Sequence, residues 1–286
     1  SRQVKGYPGA KNGAGVYQAI INNMPPHDLY IEPFVGSGAI LLRKKPAAAS
    51  IVIDADADVA QHWSTIAAVG EYPNLRAICG DARSFIAGFA DGELTKCESG
   101  GTLIYCDPPY VRSTRRSAKA IYKYEFADED HQSLLKLLQS LKCRVMVSGY
   151  ASARYESMLC GWRRIEMRTM TRGGVAVEIL WCNFPKPTQL HDMRYLGADF
   201  RERERIKRKK ARWRARLERL PPLERSAIME TLRDIAASEV PMRTSSAASP
   251  EMAGRARGTG GGAVMASLNL FDDACRPTSS ETASGS

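Results

Sequence analysis

Asp107-Pro108-Pro109-Tyr110 follows directly on the apolar run Thr102-Leu-Ile-Tyr-Cys106. Two consecutive prolines stop a strand and fix the backbone, and Pro108 has no N–H to donate while its carbonyl stays free to accept. One turn therefore offers a carboxylate, a rigid carbonyl and an aromatic face. These are the groups needed to hold a planar amino group: two acceptors for its two N–H donors, and a ring to stack against. The exocyclic amine of a nucleobase is a poor nucleophile because its lone pair is delocalised into the ring. Two hydrogen bonds drawing its hydrogens out of plane would localise that lone pair towards an incoming methyl group. Read without its surroundings, the same tetrapeptide is also compatible with an ordinary Asp-initiated turn.

A second constellation precedes it. Pro33-Phe34-Val35-Gly36-Ser37-Gly38 reads as a strand-to-helix turn whose glycines let the backbone approach a ligand and whose helix start offers unpaired N–H groups. Leu41 stands where a full dinucleotide fingerprint would carry a third glycine. Asp54 lies eighteen residues beyond Gly36, where an acid binds ribose hydroxyls in nucleotide-binding sheets. In chain order the glycine turn, the acid and the Asp-Pro-Pro-Tyr turn close successive apolar runs. One sheet would bring all three to its carboxyl edge, where such folds bind ligands.

The elements that must hold them are legible over residues 1–190. Strands are predicted at Leu29–Phe34, Ile51–Ile53, Leu75–Cys79, Thr102–Cys106 and Arg144–Ser148, with a helix opening at Val35–Leu42. Leucines at 134, 135, 138 and 141 predict a helix over Asp130–Leu141, capped by Asp128. Ile165–Met170 and Val175–Phe184 flank Gly173-Gly174 and predict a hairpin. The alternation implies an α/β fold, a mostly parallel sheet covered on both faces with an antiparallel pair at its end.

The chain has 286 residues, 44% of them apolar, and a net charge of +10. No apolar run is long enough for a membrane span, and the N-terminus has no apolar signal core, so neither membrane partners nor export are expected. Seven cysteines without a C-x-x-C pair argue against a disulfide framework and a zinc site, and no metal is expected. The charge is local. Residues 199–219 hold eleven Lys/Arg against four acids, a net +7 within one predicted helix, which suggests a polyanion as partner. Arg205, Lys207, Arg208, Lys209 and Lys210 are its candidate DNA contacts. Phe200, Ile206, Trp213, Leu217 and Leu220 form a narrow apolar stripe on the same helix. A second helix over 222–238 could bury that stripe in a hairpin closed at Pro221-Pro222, or two copies could pair in a homodimer. From Pro241 onward Gly, Ser, Ala and Thr dominate, so a flexible tail is expected over 241–286.

Taken together, these residues resemble the Dam-like N6-adenine-specific DNA methyltransferases, especially the compact phage-borne kind. The resemblance covers about residues 5–185. It is carried by Tyr7-Pro-Gly-Ala-Lys11, Tyr30 to Gly38, Gly80-Asp81, Tyr105 to Tyr110, Ser113-Thr-Arg115, Tyr124 to His131, Val147-Ser-Gly-Tyr150 and Glu178 to Asn183. It implies a Rossmann-like seven-stranded sheet with an antiparallel last strand, and S-adenosylmethionine as cofactor. It also implies that Tyr7 and Lys11 close over the methionine end of the cofactor, with Lys11 facing its carboxylate. Phe34, Gly36, Ser37 and Gly38 would surround the cofactor, Asp54 would hold its ribose, and Asp81 would lie near its adenine. Asp107, Pro108, Pro109 and Tyr110 would form the catalytic turn around a flipped-out adenine, which is otherwise inaccessible in a stacked duplex.

Two departures from the family pattern matter. Its target-recognition insertion has no room here, because only 52 residues separate Asp54 from Asp107. The basic extension after residue 190 is the other departure. The segment after the catalytic turn carries Arg112, Arg115, Arg116, Lys119 and Lys123 without an acid and is expected to grip phosphates. Ser267-Leu-Asn-Leu-Phe271 is similar to short peptides that dock on the bacterial sliding clamp. The expectation is therefore a catalytic domain over 1–190, a basic helical extension over 191–240 and a tail over 241–286. Its activity would be adenine-N6 methylation of double-stranded DNA in the cytoplasm, at the nucleoid. An RNA adenine methyltransferase and a DNA-binding regulator without turnover are the competing readings.

Overall fold

A computed structural model describes residues 11, 15–91, 101–109, 126–171 and 174–238. The chain divides into two compact units, residues 1–203 and residues 204–286.

The first unit is built on one sheet. Its strands are β1 (Leu29–Glu32), β2 (Ala49–Asp54), β3 (Leu75–Cys79), β4 (Thr102–Cys106), β5 (Arg144–Gly149), β6 (Arg163–Thr171) and β7 (Gly174–Cys182). They lie in the order β3-β2-β1-β4-β5-β7-β6. Neighbours from β3 through β5 pair parallel, and β7 runs antiparallel to both β5 and β6. The order reverses between β1 and β4, so a crevice opens there at the carboxyl edge, the general ligand position of open α/β sheets. This is the Rossmann-like α/β sheet with an antiparallel strand near its end that the sequence implies.

Every residue of β1 and β4 is buried, as a sheet covered on both faces requires. The helices are α1 (Val16–Ile21), α2 (Ala57–Ala68), α3 (Ala82–Asp91), α4 (Asp128–Ser140) and α5 (Ala153–Met158). α2 starts where the Asp56 carboxylate accepts from Asp58 N at 3.0 Å, and α5 where Ser152 Oγ accepts from Tyr155 N at 3.3 Å. The core packs Trp63 of α2 and Ile20 of α1 with Tyr30, Val52, Leu103 and Leu180 of the sheet.

Two local expectations are corrected. Residues 39–43 are a succession of turns rather than a regular helix, with Leu42 N donating to Gly38 O and Arg43 N to Ile40 O. Two left-handed glycines, Gly36 (φ 44°) and Gly38 (φ 63°), redirect the chain just before it. α4 begins at Asp128, so that residue belongs to the first turn and does not cap it. Asp130 Oδ2 instead accepts from Ala127 N at 2.8 Å, and three acids at the start favour the helix dipole. Residues 191–197 pack on this unit: His191 N donates to Met24 O, Lys45 N to Asp192 Oδ2, and Asn22 Nδ2 to Gly197 O.

The second unit contains the helices α6 (Phe200–Glu218), whose first turn belongs to the preceding unit, and α7 (Pro222–Ser238). Neither helix has a buried residue. The stripe is half-buried at Ile206, Leu217 and Leu220 and open at Trp213, where a groove of about 660 Å³ also takes Arg225 of α7. Leu223, Ile228, Leu232 and Ile235 are exposed, so the expected hairpin core is not formed. Arg225, not a leucine, is the α7 side chain on the stripe.

Candidate active site

The carboxyl ends of β4 and β5 and the antiparallel course of β7 create the site. Cys106 pairs with Val147, and Ser148 pairs with Leu180, so Asp107, Ser148 and Glu178 arrive side by side at one edge. Asp107 Oδ1 accepts from Ser148 Oγ at 2.9 Å and from Lys11 Nζ at 2.8 Å. Ser148 Oγ also meets the hydroxyl of buried Tyr105 at 2.9 Å. Lys11 Nζ lies 3.0 Å from Glu178 Oε2, an ion contact without the alignment of a hydrogen bond. One ammonium thus sits between two carboxylates.

Burial pushes the Asp107 carboxyl above its ordinary value. Lys11 is the strongest opposing influence, Glu178 pushes in the same direction as burial, and Ser148 helps Lys11. The turn therefore holds a pinned carboxylate, with Pro108 and Pro109 following it directly. Behind it the core contains Glu32, whose Oε2 accepts from Tyr30 O–H at 2.9 Å. Burial raises Glu32 to about 8 despite that bond. Burial also lowers Lys44 to about 7, its ammonium 4.1 Å from the Tyr30 ring centre. Cys106 is buried and its thiol is pushed up, chiefly by burial, which makes it unsuited to nucleophilic work.

The glycine turn is held from both sides. Asp54 Oδ2 accepts from Gly36 N at 2.9 Å and Oδ1 from Asp56 N at 2.9 Å. Burial raises its pKa and those bonds restrain the rise. Trp63 Nε1 donates to Gly36 O at 3.1 Å. A Cβ on Gly38 would lie 2.1 Å from the Trp63 ring, so tight packing by itself requires glycine there. Ser37 is buried, and Phe34 meets Phe126 edge-to-face at 5.4 Å.

Asp81 follows β3 on the same edge. Burial would raise its pKa, but hydrogen bonds from Arg83 outweigh that and hold it down. Arg83 Nη2 lies 2.7 Å from Asp81 Oδ2, and Arg83 Nη1 bridges to Asp130. The structure thus places Asp54, Asp81, Asp107 and the Gly36–Gly38 turn along the ends of β1 to β4. Lys11 is brought to Asp107. Tyr7, Tyr110, Arg112, Arg115, Arg116, Lys119, Lys123 and the 267–271 segment lie outside the described residues. Arg205, Lys207, Arg208, Lys209 and Lys210 are on exposed or partly exposed turns of α6, in the other unit.

Ser148, Glu178 and Glu32 belong to the candidate site, although the motifs assign them no role. Each lies inside a segment that carries the family resemblance, yet only strand register shows what it faces. Among the described residues no group of His, Cys, Asp or Glu could hold a metal ion, and no helix is long and apolar enough to cross a membrane.

The model of the D12 class N6 adenine-specific DNA methyltransferase family matches residues 89–166. That span runs from the end of α3 through β4, the Asp107 turn, α4 and β5 into β6. No curated relative matches the chain. Among solved structures, a SAM-dependent methyltransferase from Agrobacterium tumefaciens is 18% identical, with a TM-score of 0.38, covering 59% of this chain and 60% of that one. TrmN from Thermus thermophilus is 17% identical, with a TM-score of 0.38 and coverages of 58% and 47%. An rRNA methylase from Streptococcus thermophilus is 9% identical, with a TM-score of 0.37 and coverages of 58% and 91%. The fold assignment rests on strand order rather than on these distant likenesses. Residues 89–166 carry the signature of the D12 class N6 adenine-specific DNA methyltransferases, and the match implies methyl transfer with S-adenosylmethionine as donor.

Proposed function

We propose that this protein methylates the N6 amine of adenine in double-stranded DNA. The observation that carries the reading is Asp107 itself. It is a carboxylate fixed by Ser148 and Lys11 at the end of β4, followed by two prolines, beside a glycine turn pinned by Asp54. The residues present fit S-adenosylmethionine. Each oxygen of Asp54 accepts one backbone N–H and keeps a lone pair for a ribose hydroxyl, since an ionised carboxylate has about four acceptor sites. When bound, the cofactor supplies an electrophilic methyl group on a positively charged sulfur.

The chain's own residues do the rest by positioning. The Asp107 carboxylate accepts one N–H of the adenine amine and the Pro108 carbonyl the other, which turns the nitrogen lone pair towards the incoming carbon. The nitrogen lone pair so oriented would take the methyl group from the donor sulfur in one in-line displacement, the sulfur keeping the bonding pair. The amine's surplus proton leaves afterwards to solvent or to Asp107. Ser148 and Lys11 keep Asp107 from rotating, so reorganisation during the step is small. Tyr110 would stack on the extruded base, contributing roughly 1–3 kcal/mol.

The exposed apolar side chains of α7 and Trp213 of α6 support a homodimer reading a two-fold symmetric site. A DNA substrate would place the protein in the cytoplasm at the nucleoid. The test is incubation with labelled S-adenosylmethionine and matched duplex DNA or RNA. Label in DNA, lost in Asp107→Ala while cofactor binding persists, is the expected result. Label in RNA alone, or in neither polymer, overturns it.

A further inference from the structure

α6 carries a row of arginines along one helical face. Arg205, Arg208, Arg212 and Arg216 follow one another at steps of three, four and four. With 3.6 residues per turn they fall within roughly an 80° arc, which Arg201 of the first turn shares, and rise over about 17 Å. All four are exposed. No acid falls within this arc. Glu204 projects away from it and pairs with Lys207 at 3.5 Å, and Glu218 lies on the same far side. Near the helix start, Glu202 accepts from Ala198 N at 2.9 Å and Asp199 Oδ1 from Glu202 N at 2.8 Å. Ile206, Trp213 and Leu217 occupy another face, beside Arg225.

Four acids cannot neutralise the eleven cations of residues 199–219. At this density self-repulsion works against the helix, and a regularly spaced polyanion relieves it. The row is also uniform in chemistry. It holds arginines alone, although Lys207, Lys209 and Lys210 occur on the same helix. Arginine's planar fork engages phosphate oxygens bidentately, whereas lysine acts as a point charge.

We propose that this arginine row docks along the phosphates of duplex DNA and supplies affinity without sequence readout. The choice of DNA over another polyanion rests on the methylation reading above. The row would serve the need left by the 52-residue interval between Asp54 and Asp107, which has no room for a target-recognition insertion. Contacts of this kind position a protein on the duplex but carry no base information.

The experiment measures binding of the full chain to a duplex oligonucleotide between low and moderate salt, with no methyl transfer required. Arg205→Gln, Arg208→Gln, Arg212→Gln and Arg216→Gln are combined in one variant. Arg203→Gln and Arg214→Gln, from the other side of the helix, form the comparison set. Each phosphate contact contributes about 0.9 to the slope of log K against log salt. The row variant should therefore flatten that slope by roughly 2 to 3.6 and weaken binding at least tenfold at low salt, while the comparison set should change it by less than about 1. S-adenosylmethionine binding and helical circular dichroism should be unchanged in both. An unaltered slope in the row variant overturns the proposal, as does an equal loss in the two sets. Loss of binding to anionic phosphatidylglycerol vesicles without loss on DNA overturns it too. Methylation measured in parallel separates the two claims, because a row that binds DNA in a protein that methylates none would refute only the activity.

Discussion

Lys11 is the cation between two carboxylates, and replacing it with methionine tests the electrostatics of the site. Methionine has nearly the same reach and no charge. The ammonium lies 2.8 Å from Asp107 Oδ1 and 3.0 Å from Glu178 Oε2, and the three side chains are 3%, 18% and 8% exposed. At an effective dielectric of about 20, each contact contributes roughly 6 kcal/mol of attraction. Desolvation of three charges, and repulsion between the carboxylates, consume most of that sum. Removing one partner of such a cluster costs about 3–5 kcal/mol net. A loss of this size should lower the melting temperature by roughly 10 °C.

The deficit must depend on pH, and its sign follows from Asp107. Its folded pKa already lies above the ordinary value, and Lys11 is the main influence holding it down. In Lys11→Met the folded value rises further, so ionising Asp107 opposes folding more strongly. The deficit against wild type should grow as pH rises from the wild-type folded value towards the new one, and level off above it. Because an ionised Asp107 is the better acceptor for the amine, the acid limb of the methylation profile should move to higher pH. Urea denaturation followed by tryptophan fluorescence, at pH 5 to 8, measures the first effect, since Trp63 and Trp181 are buried. Glu178→Gln added to Lys11→Met should recover part of the loss at pH 8. A deficit equal at pH 5 and pH 8, with no recovery by Glu178→Gln, would refute the reasoning.

Two further outcomes are expected. Ser148→Ala removes the hydroxyl 2.9 Å from Asp107 Oδ1; a hydrogen bond to a charged group is worth about 1.5–3 kcal/mol, so turnover should fall roughly 10- to 150-fold with cofactor affinity unchanged. Turnover within twofold of wild type would show that the carboxylate needs no such support. Glu32→Gln should be nearly neutral at pH 5 and stabilising at pH 7. The folded carboxyl titrates at about 8 against an ordinary 4.5, so wild-type stability falls across that interval by at most about 5 kcal/mol. Lys44, at about 7 against 10.5, makes stability rise between those values, which puts the wild-type minimum near pH 7–8. A chemical-denaturation series flat from pH 5 to 7 would contradict the assignment.

The parts of the fold that were legible are those where one local signal suffices. All seven strands showed as short apolar runs, and the antiparallel β6–β7 pair showed as two such runs around glycines. α4 showed through Leu134, Leu135 and Leu138, all buried. α1 and α5 have six residues each, too few for a helical period to stand out. The turns at 39–43 misled because apolar Ile40, Leu41 and Leu42 follow a glycine turn as a helix would. Two successive left-handed glycines and the Trp63 ring decide otherwise, and Trp63 lies 25 residues from Gly38 in the chain. The stripe on α6 was legible, but its partner was not. A narrow stripe does not specify which neighbour covers it, and Arg225 occupies a place expected for leucine.

At the site, chain order identified the acids but not what steadies them. Asp54 ends β2, and Asp81 and Asp107 follow within two residues of the ends of β3 and β4, so reading along the chain finds them one after another. Glu178 is different, because it lies inside a strand and not at its end. It reaches the carboxyl edge only because β7 runs backwards, pairing Ser148 with Leu180 and Gly149 with Ile179, so that its earlier residues come level with the ends of β4 and β5. A parallel seventh strand would put its later residues there, and Lys11 would face a single carboxylate. The antiparallel strand therefore bears on chemistry as well as topology: it supplies the second negative charge that holds the Lys11 ammonium beside Asp107, and that ammonium is the main influence restraining Asp107 against protonation.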